Sequence, residues 1–326
     1  MSRARDAGLY FDDGPTGPHN AITDVPGVAV GHRTLSRPPT IHSGVTAVRF
    51  GDVNPTAPLP AGLFTGNGYG KLVGATQLTE LGQIEAPILL TATLSVFRAA
   101  DALVTWMLRR PDCRSVRSFN PVVGECNDGV VSDIRARPVT EADVLAALDA
   151  ASPGPVAEGN VGAGCGTIAM GFKAGIGTAS RRVEAAGEPA TLGVLTQANF
   201  GGTVRITGRR IRPDADRAGS ADVGSCVVVL ATDAPLDARQ LGRLARRGVL
   251  GLGRAGASYS HGSGDYGIAV STRPAGSASI LDEALNPLFA AALDAVEESV
   301  LNALWAAEPV TGADGRPIPA LRDALE

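Results

Sequence analysis

The dipeptide Gly224-Ser225 has the clearest potential for chemistry in this 326-residue chain. It lies between a polar stretch, residues 209–219, and an apolar, β-branched run, residues 226–232. The polar stretch mixes charges with Pro and Gly, which is typical of an exposed, cleavable loop, whereas the apolar run predicts a buried strand. Cleavage between Gly224 and Ser225 would give Ser225 a hydroxyl nucleophile and a free α-amine. Because an α-amine titrates at about 7.7 to 8.0, it could serve as the base.

Taken alone, Gly-Ser is also an ordinary turn dipeptide at the entrance to a strand. Further motifs accompany it in a fixed order along the chain, at residues 20–28, 121–129, 172–180, 197–201, 224–236 and 261–265. Together they resemble the family of β-peptidyl aminopeptidases and D-aminopeptidase/esterases, which are self-processing N-terminal-serine hydrolases. The resemblance extends over most of the chain. It implies an αββα sandwich, in which two sheets lie between helical layers.

The resemblance also implies roles for residues near the cleavage site. Ser225 corresponds to the nucleophile, whose acyl-enzyme is later hydrolysed by water. Asn199 corresponds to the residue whose side-chain amide stabilises the tetrahedral oxyanion. Ser263 and Asp265 correspond to a Ser-x-acid pair that supports the nucleophile, although the family acid is often Glu, which is one methylene longer. Side chains two residues apart on an extended chain lie on the same face, so we expect Ser263 and Asp265 both to point toward Ser225.

Substrate recognition is implied by a second group of matches. Glu125 corresponds to a carboxylate that binds the free amino group of the substrate, which implies an aminopeptidase. A buried carboxylate is costly unless a cation accompanies it, and the substrate ammonium would be that cation. Asn127 stands where some relatives carry a tyrosine that donates to the oxyanion, and an amide can donate too. Lys173 either tunes the electrostatics around Ser225 or is a surface lysine with a covered stem.

These matches predict a self-processed amidohydrolase that releases small β-, D- or L-residues from the amino end of peptides, amides or esters. Its single domain would consist of fragments 1–224 and 225–326, and the relatives' tetramers or octamers imply a homo-oligomer. One alternative is an acyltransferase of the ornithine acetyltransferase type, which typically has threonine in place of Ser225. Another is an uncleaved α/β binding protein. A triad of His261, Asp265 and another serine would leave Gly224-Ser225 unexplained.

Composition excludes several other classes. The hydrophobic fraction of 44% supports a sizeable core, and a net charge of -4 gives no reason to expect nucleic acid or membrane partners. The four cysteines and four histidines lack metal-ligand spacing, so we expect no metal and no cofactor. The charged amino end does not resemble a signal peptide, and no apolar run reaches membrane-spanning length. We therefore expect a cytoplasmic protein.

Two glycine-rich stretches do not match nucleotide-binding loops. Residues 66–71 lack a Ser or Thr after Lys71, so we interpret them as a turn. Residues 159–166 follow Pro-Gly-Pro instead of a strand, which a dinucleotide site requires. The family resemblance places this second stretch near the active site, where missing side chains let the chain approach a substrate closely.

Short apolar strands and a few helices must position these residues, a pattern typical of α/β or α+β layers. Strands are predicted for residues 27–30, 45–50, 88–92, 192–197, 226–232 and 266–271. Helices are predicted for residues 99–110, 144–148, 237–247 and 286–307. A capping box of Thr140 and Asp143 opens the second helix, and Asn286 before Pro287 is predicted to cap the last.

Overall fold

The computed structural model describes residues 3–10, 12, 14–213, 223–274, 276, 277 and 279–325. The strands are β1 (Val28–Arg37), β2 (Ile41–Phe50), β3 (Leu59–Gly68), β4 (Gln83–Ile84), β5 (Ile88–Ala92), β6 (Val122–Cys126), β7 (Ile168–Ala169), β8 (Phe172–Lys173), β9 (Ile176–Ala185), β10 (Glu188–Asn199), β11 (Val204–Ile206), β12 (Arg209–Ile211), β13 (Val223–Thr232), β14 (Gly262–Ser271), β15 (Val310–Thr311) and β16 (Pro317–Ile318). The α-helices are α1 (Ala75–Glu80), α2 (Val96–Arg109), α3 (Glu141–Asp149), α4 (Ala238–Ala255) and α5 (Asn286–Trp305). None of the described helices is both long and apolar enough to cross a bilayer.

Two sheets stack face to face between helical layers. The first has the strand order β1-β2-β5-β6, and the second has the order β4-β3-β14-β13-β10-β9. Helices α2 and α3 cover the outer face of the first sheet, while α4 and α5 cover that of the second. The predicted αββα sandwich is therefore confirmed.

Strand β13 lies inside the second sheet and is buried on both faces. Its odd-numbered residues belong to the apolar layer between the sheets, and its even-numbered ones to the layer beneath α4 and α5: Val227, Val229 and Ala231 on one side, Cys226, Val228 and Leu230 on the other. Burial on both faces explains why the sequence is a continuous apolar run rather than an alternating one.

All six strands predicted from sequence are present, most with longer ends, but the pattern did not predict β3, β6 and β9. Glycines interrupt the apolar period of all three strands, and in two of them the glycines serve helix packing. A Cβ on Gly62 of β3 would lie 2.1 Å from the backbone nitrogen of Gly242 in α4. A Cβ on Gly177 of β9 would lie 1.9 Å from the carbonyl oxygen of Ser299 in α5. The helices thus approach the sheet closely because side chains are missing there.

The helices also refine the predictions. The capping box of Thr140 and Asp143 is confirmed at the start of α3. Helix α4 continues eight residues beyond the predicted end at residue 247, because Gly248 and Gly251 face Leu230 and Val296 at close range instead of ending the helix. The prediction of Asn286 as an N-cap is wrong. A 3₁₀ turn, Asp282–Leu285, leads directly into α5, so Asn286 is already helical.

Three residues of the polar stretch before the apolar run form a strand. Residues Arg209–Ile211 form β12, which pairs with β11 in a hairpin, so the prediction of a loop is wrong for these three residues. The backbone N–H and C=O groups of these residues pair with β11, and this pairing does not depend on their charged side chains. The remainder of the predicted loop, from residue 214 to 219, lies outside the described residues.

A buried ionic network ties the amino-terminal segment to the second sheet. Glu298 of α5 accepts a hydrogen bond from Arg181 of β9 at 2.6 Å, and neither side chain is more than 1% exposed. Arg5 and Asn20 donate to the same carboxylate at 3.0 and 2.7 Å. Burial alone would raise the pKa of Glu298, but the hydrogen bond from Arg5 and the charge of Arg181 outweigh it and hold the pKa below its usual value.

We expect Glu298→Ala to lower the free energy of unfolding by about 3 to 5 kcal/mol, because it leaves two guanidinium groups without their buried partner. Urea denaturation measures the loss. Glu308→Ala removes an exposed ion pair with Arg322 and is the matched control, with an expected change of about 1 kcal/mol or less. Because the pKa of Glu298 is lowered on folding, its contribution persists above the usual glutamate pKa and is lost on acidification below it. Equal losses in the two variants would contradict this account.

Candidate active site

Ser225 lies near the start of β13, where three strand ends meet. It pairs with Asn199 at the end of β10 and with Gly264 near the start of β14. The residue is 3% exposed. A Cβ on the preceding Gly224 would lie 2.3 Å from the carbonyl oxygen of Asn199 and 2.6 Å from the Cα of Phe200, so only glycine fits at this position. The structure thus brings Gly224, Ser225 and Asn199 together.

The side-chain amide of Asn199 is held in a fixed orientation. Its Oδ1 accepts a hydrogen bond from the backbone nitrogen of Ile168 at 3.0 Å, and its Nδ2 donates to the carbonyl of Asn127 at 3.2 Å. Asn127 in turn accepts a hydrogen bond through Oδ1 from Gly129 at 2.9 Å. An amide nitrogen carries two hydrogens, so one N–H of Asn199 is left over by these contacts. The Asn199 amide, which the ladder places opposite Ser225, is therefore held by the backbone of Asn127 and Ile168.

Ser263 and Asp265 share one face of β14, as predicted, and the hydroxyl of Ser263 donates to Asp265 Oδ1 at 2.7 Å. In the parallel ladder, Ser263 lies opposite Gly224 and Asp265 lies opposite Cys226. Residues in register point to the same face of a sheet, so the pair lies on the face opposite to the Ser225 side chain. This corrects the expectation that both point toward the Ser225 hydroxyl: in the continuous chain they flank its backbone.

The carboxyl group of Asp265 is buried, and its Oδ2 has no hydrogen-bond partner among the described residues. Burial raises the pKa of Asp265, although the hydrogen bond from Ser263 opposes the shift. His261 is exposed and contacts the Tyr69 ring, with 6.1 Å between the ring centroids. Within the described structure Asp265 thus accepts from Ser263 and not from His261, which argues against a His261 triad.

Glu125 lies near the end of β6 and is 1% exposed. Its Oε1 accepts a hydrogen bond from the backbone nitrogen of Lys71 at 3.0 Å, and the Lys71 ammonium lies 3.8 Å from the same oxygen. Its Oε2 is buried and unpartnered in the described part of the chain. Burial raises the pKa of Glu125, while the Lys71 backbone and charge oppose the shift. One carboxylate oxygen is therefore buried without a hydrogen-bond donor in the described structure.

The turn predicted for residues 66–71 is wrong for residues 66–68, which are the end of β3; residues 67–71 border this site. The Asn67 amide donates to the carbonyls of residues 260 and 261 at 3.2 and 3.0 Å and also to that of Ser263. A Cβ on Gly70 would lie 3.1 Å from Glu125 Oε1 and 3.2 Å from Tyr266 Oη, so the missing side chain lets the backbone lie close to both groups. Sequence reasoning did not identify Lys71, Asn67 or Tyr266 as site residues. One available signal was that Lys71 and Lys173 are the only lysines in the chain.

Lys173, on β8, is fully buried, so its interpretation as a surface lysine is wrong. Its ammonium donates to the carbonyl of Gly164 at 3.1 Å and to that of Ala174. Burial lowers the pKa of Lys173 to about 7. The hydrogen bonds of this lysine within the described structure thus hold the backbone of the glycine-rich segment and do not reach Ser225.

The glycine-rich residues 159–166 pack against the second sheet at backbone contact. A Cβ on Gly175 would lie 1.8 Å from the carbonyl oxygen of Gly159. Gln197 of β10 donates through Nε2 to the carbonyl of Ala163 at 2.9 Å. The segment therefore supports β10 two residues before Asn199. The described residues contain no cluster of three His, Cys, Asp or Glu side chains that could hold a metal ion.

The chain is similar along most of its length to known proteins. The model of peptidase family S58 matches residues 20–318. Beta-peptidyl aminopeptidase BapA of Sphingosinicella microcystinivorans is 39% identical, with 99% of this chain and 90% of that protein covered. The solved L-aminopeptidase D-Ala-esterase/amidase of Ochrobactrum anthropi, described as a variant of the Ntn hydrolase fold, is 40% identical with a TM-score of 0.89 and covers 100% and 97% of the two chains. A Burkholderia sp. beta-aminopeptidase is 39% identical with a TM-score of 0.89, covering 99% and 98%.

The buried Lys173 predicts a distinctive pH dependence of stability. Its pKa is about 7 when folded, against about 10.4 for an unfolded lysine, so the unfolded state binds more protons between these values. The contribution of Lys173 to the free energy of unfolding should therefore rise with pH between these two pKa values, by up to about 1.4 kcal/mol per pH unit. Urea denaturation at pH 7, 8 and 9 should show this rise in the wild-type protein and a flatter profile in Lys173→Met. Identical slopes would mean that the folded ammonium stays charged.

Proposed function

Because the chain belongs to peptidase family S58, we propose that it is a self-processing serine aminopeptidase that releases small N-terminal residues from peptides, amides or esters. The observation that carries the proposal is the register of β13, which aligns Ser225 with Asn199 on one side and Gly224 with Ser263 on the other. A nucleophile, an amide donor and an acid-linked hydroxyl thus surround one peptide bond. The names of the relatives favour β- or D-configured residues among the substrates.

Maturation would begin with attack of the Ser225 hydroxyl oxygen on the carbonyl carbon of Gly224. The C–N bond breaks as the C–O bond forms, the hydroxyl proton passes to the departing amine, and water then hydrolyses the ester to leave a Gly224 carboxylate. Ser263 and Asp265 flank this bond on the opposite face of the sheet, which suits them to hold the new α-amine.

Turnover would use the same serine on a substrate carbonyl. The α-amine of Ser225 takes the hydroxyl proton and returns it to the leaving amine, and water later hydrolyses the acyl-enzyme. The free N–H of Asn199 would donate to the oxyanion, because its other contacts already fix the amide. We further propose that the side-chain amide of Asn127, whose backbone carbonyl accepts the hydrogen bond from Asn199, supplies a second donor.

Glu125 would bind the substrate ammonium through its unpartnered Oε2. A buried carboxylate oxygen without a partner is costly, and an incoming ammonium removes that cost. Cleavage would then be confined to the residue that carries the free amine. The acyltransferase alternative is not favoured by the comparisons, which match aminopeptidases. We further propose a homo-oligomer, which sedimentation analysis would test.

Replacement of Ser225 by alanine should abolish processing. We expect intact-mass analysis of the purified wild-type protein to give two fragments, residues 1–224 and 225–326, and that of Ser225→Ala to give one chain, because no hydroxyl remains for the acyl shift. Ser258→Ala, which removes a hydroxyl that pairs with Ser260 instead, is the control and should process fully. Cleavage of Ser225→Ala at the same bond would contradict self-processing.

Glu125→Gln should preserve self-cleavage but weaken turnover of free-amine substrates. Loss of a buried charge partner costs about 2 to 5 kcal/mol, so kcat/KM should fall roughly thirty-fold to several thousand-fold. Glu80→Gln alters an exposed carboxylate on α1 and should change kcat/KM less than about two-fold. If the wild-type enzyme hydrolyses N-acetylated substrates as fast as free ones, Glu125 does not anchor the amine.

A further inference from the structure

Lys71 and Glu125 present opposite charges at different depths of the proposed amine site. The Lys71 side chain is 45% exposed and that of Glu125 is 2% exposed, with 3.8 Å between the ammonium nitrogen and Oε1. Glu125 offers its free Oε2 from the buried side, whereas Lys71 faces solvent. The positive charge of Lys71 therefore lies at the protein surface, and the Glu125 carboxylate lies beneath it.

The Lys71 ammonium is anchored but not saturated. It donates one hydrogen bond, to Thr93 Oγ1 at 2.7 Å. Glu125 Oε1, at 3.8 Å, is beyond hydrogen-bond distance and already accepts from the Lys71 backbone nitrogen. Since an ammonium has three donors, Lys71 retains donors for an acceptor on a ligand. Thr93 holds the flexible lysine stem in place, which lowers the entropic cost of using it.

The residue type at position 71 is itself unusual for this chain. Lysines occur only at positions 71 and 173, although Lys and Arg together number 29. Lys173 is buried against backbone carbonyls, so Lys71 is the one lysine with an exposed side chain. A lysine ammonium is a compact point charge with freely rotating donors, unlike the planar guanidinium of arginine. That shape suits a small carboxylate beside a second charged group.

We propose that Lys71 makes this site selective for N-terminal residues that carry a carboxylate beside the free amine, and that a β-linked aspartyl residue is the preferred substrate class. The inference rests on the proposed function, because it assigns the substrate ammonium to Glu125. In a β-linked aspartyl residue, ammonium and carboxylate are bonded to the same carbon, one methylene from the scissile carbonyl. This is the shortest spacing an amino acid allows, and it matches the close approach of Glu125 and Lys71.

In the bound state, the substrate ammonium contacts Glu125 Oε2 and the substrate carboxylate accepts from the Lys71 ammonium. Gly70 packs against this carboxylate: a Cβ there would lie 3.1 Å from Glu125 Oε1, so a larger residue at position 70 would crowd the group. A β-alanyl residue makes only the first contact. An α-linked aspartyl residue carries its carboxylate one carbon farther from the amine.

The test compares three dipeptides on the purified, processed enzyme: β-aspartyl-leucine, the same compound with a carboxamide in place of the aspartyl carboxylate, and β-alanyl-leucine. Release of leucine gives kcat and KM for each. The decisive quantity is the ratio of kcat/KM for β-aspartyl-leucine to that for its carboxamide analogue, since any general effect on Glu125 cancels. We expect a ratio of about ten or more in the wild-type enzyme, expressed mainly in KM.

Lys71→Met should reduce this ratio to about one while β-alanyl-leucine is still hydrolysed. Lys71→Arg keeps the charge but not the compact shape, so its ratio should fall between those of the wild-type enzyme and Lys71→Met. Arg239→Met removes an exposed charge paired with Asp282 at the far end of β13 and should leave the ratio unchanged. A wild-type ratio near one, or an equal ratio in Lys71→Met, overturns the inference even if all three peptides are cleaved. Hydrolysis of none of them overturns the proposed function and the inference with it.

Discussion

The pairing of β13 with β10 and β14 is the constraint on which the rest of the molecule depends. It fixes Ser225 between two strands of an interior sheet, and it leaves no room for a side chain on Gly224. Asn199, Ser263 and Asp265 owe their positions to the same ladders, because each lies on a strand bonded to β13. The helices α4 and α5 then cover the outer face of this sheet, and glycines let them approach it closely.

Buried charge is the second organising feature. Arg181 and Glu298 form an ion pair in the core, so each charge has a partner within the protein and neither needs a ligand. Glu125 and Asp265 differ, since each keeps one buried oxygen without a partner in the described structure. A buried carboxylate oxygen without a hydrogen bond raises the free energy of the folded state, and binding of a ligand or a proton removes this cost. Buried polar groups with a purely structural role rarely lack a partner. This contrast separates the site from the scaffold.

Much of this arrangement could be predicted from sequence. The buried strand after Ser225, the capping box of α3 and the layer architecture follow from apolar runs, cap residues and an ordered set of motifs. The face on which Ser263 and Asp265 lie could not be predicted, because it depends on the register between β13 and β14, which no local pattern encodes. Lys71 was missed for a related reason. Its neighbour Glu125 is 54 residues away, and only the fold brings them together.

The interior position of β13 has a consequence for quality control during synthesis. The peptide bond between Gly224 and Ser225 is flanked on both sides only after β13 has paired with β10 and with β14. Strand β14 follows β13 in the chain, so it is synthesised later. Under the proposed self-processing, a chain in which β14 has not docked in register keeps the α-amine of Ser225 in the peptide bond to Gly224. Such a chain has no free amine to act as the base and remains inactive. Hydrolytic activity would thus appear only after the sheet is complete, and incompletely folded molecules would not hydrolyse peptides.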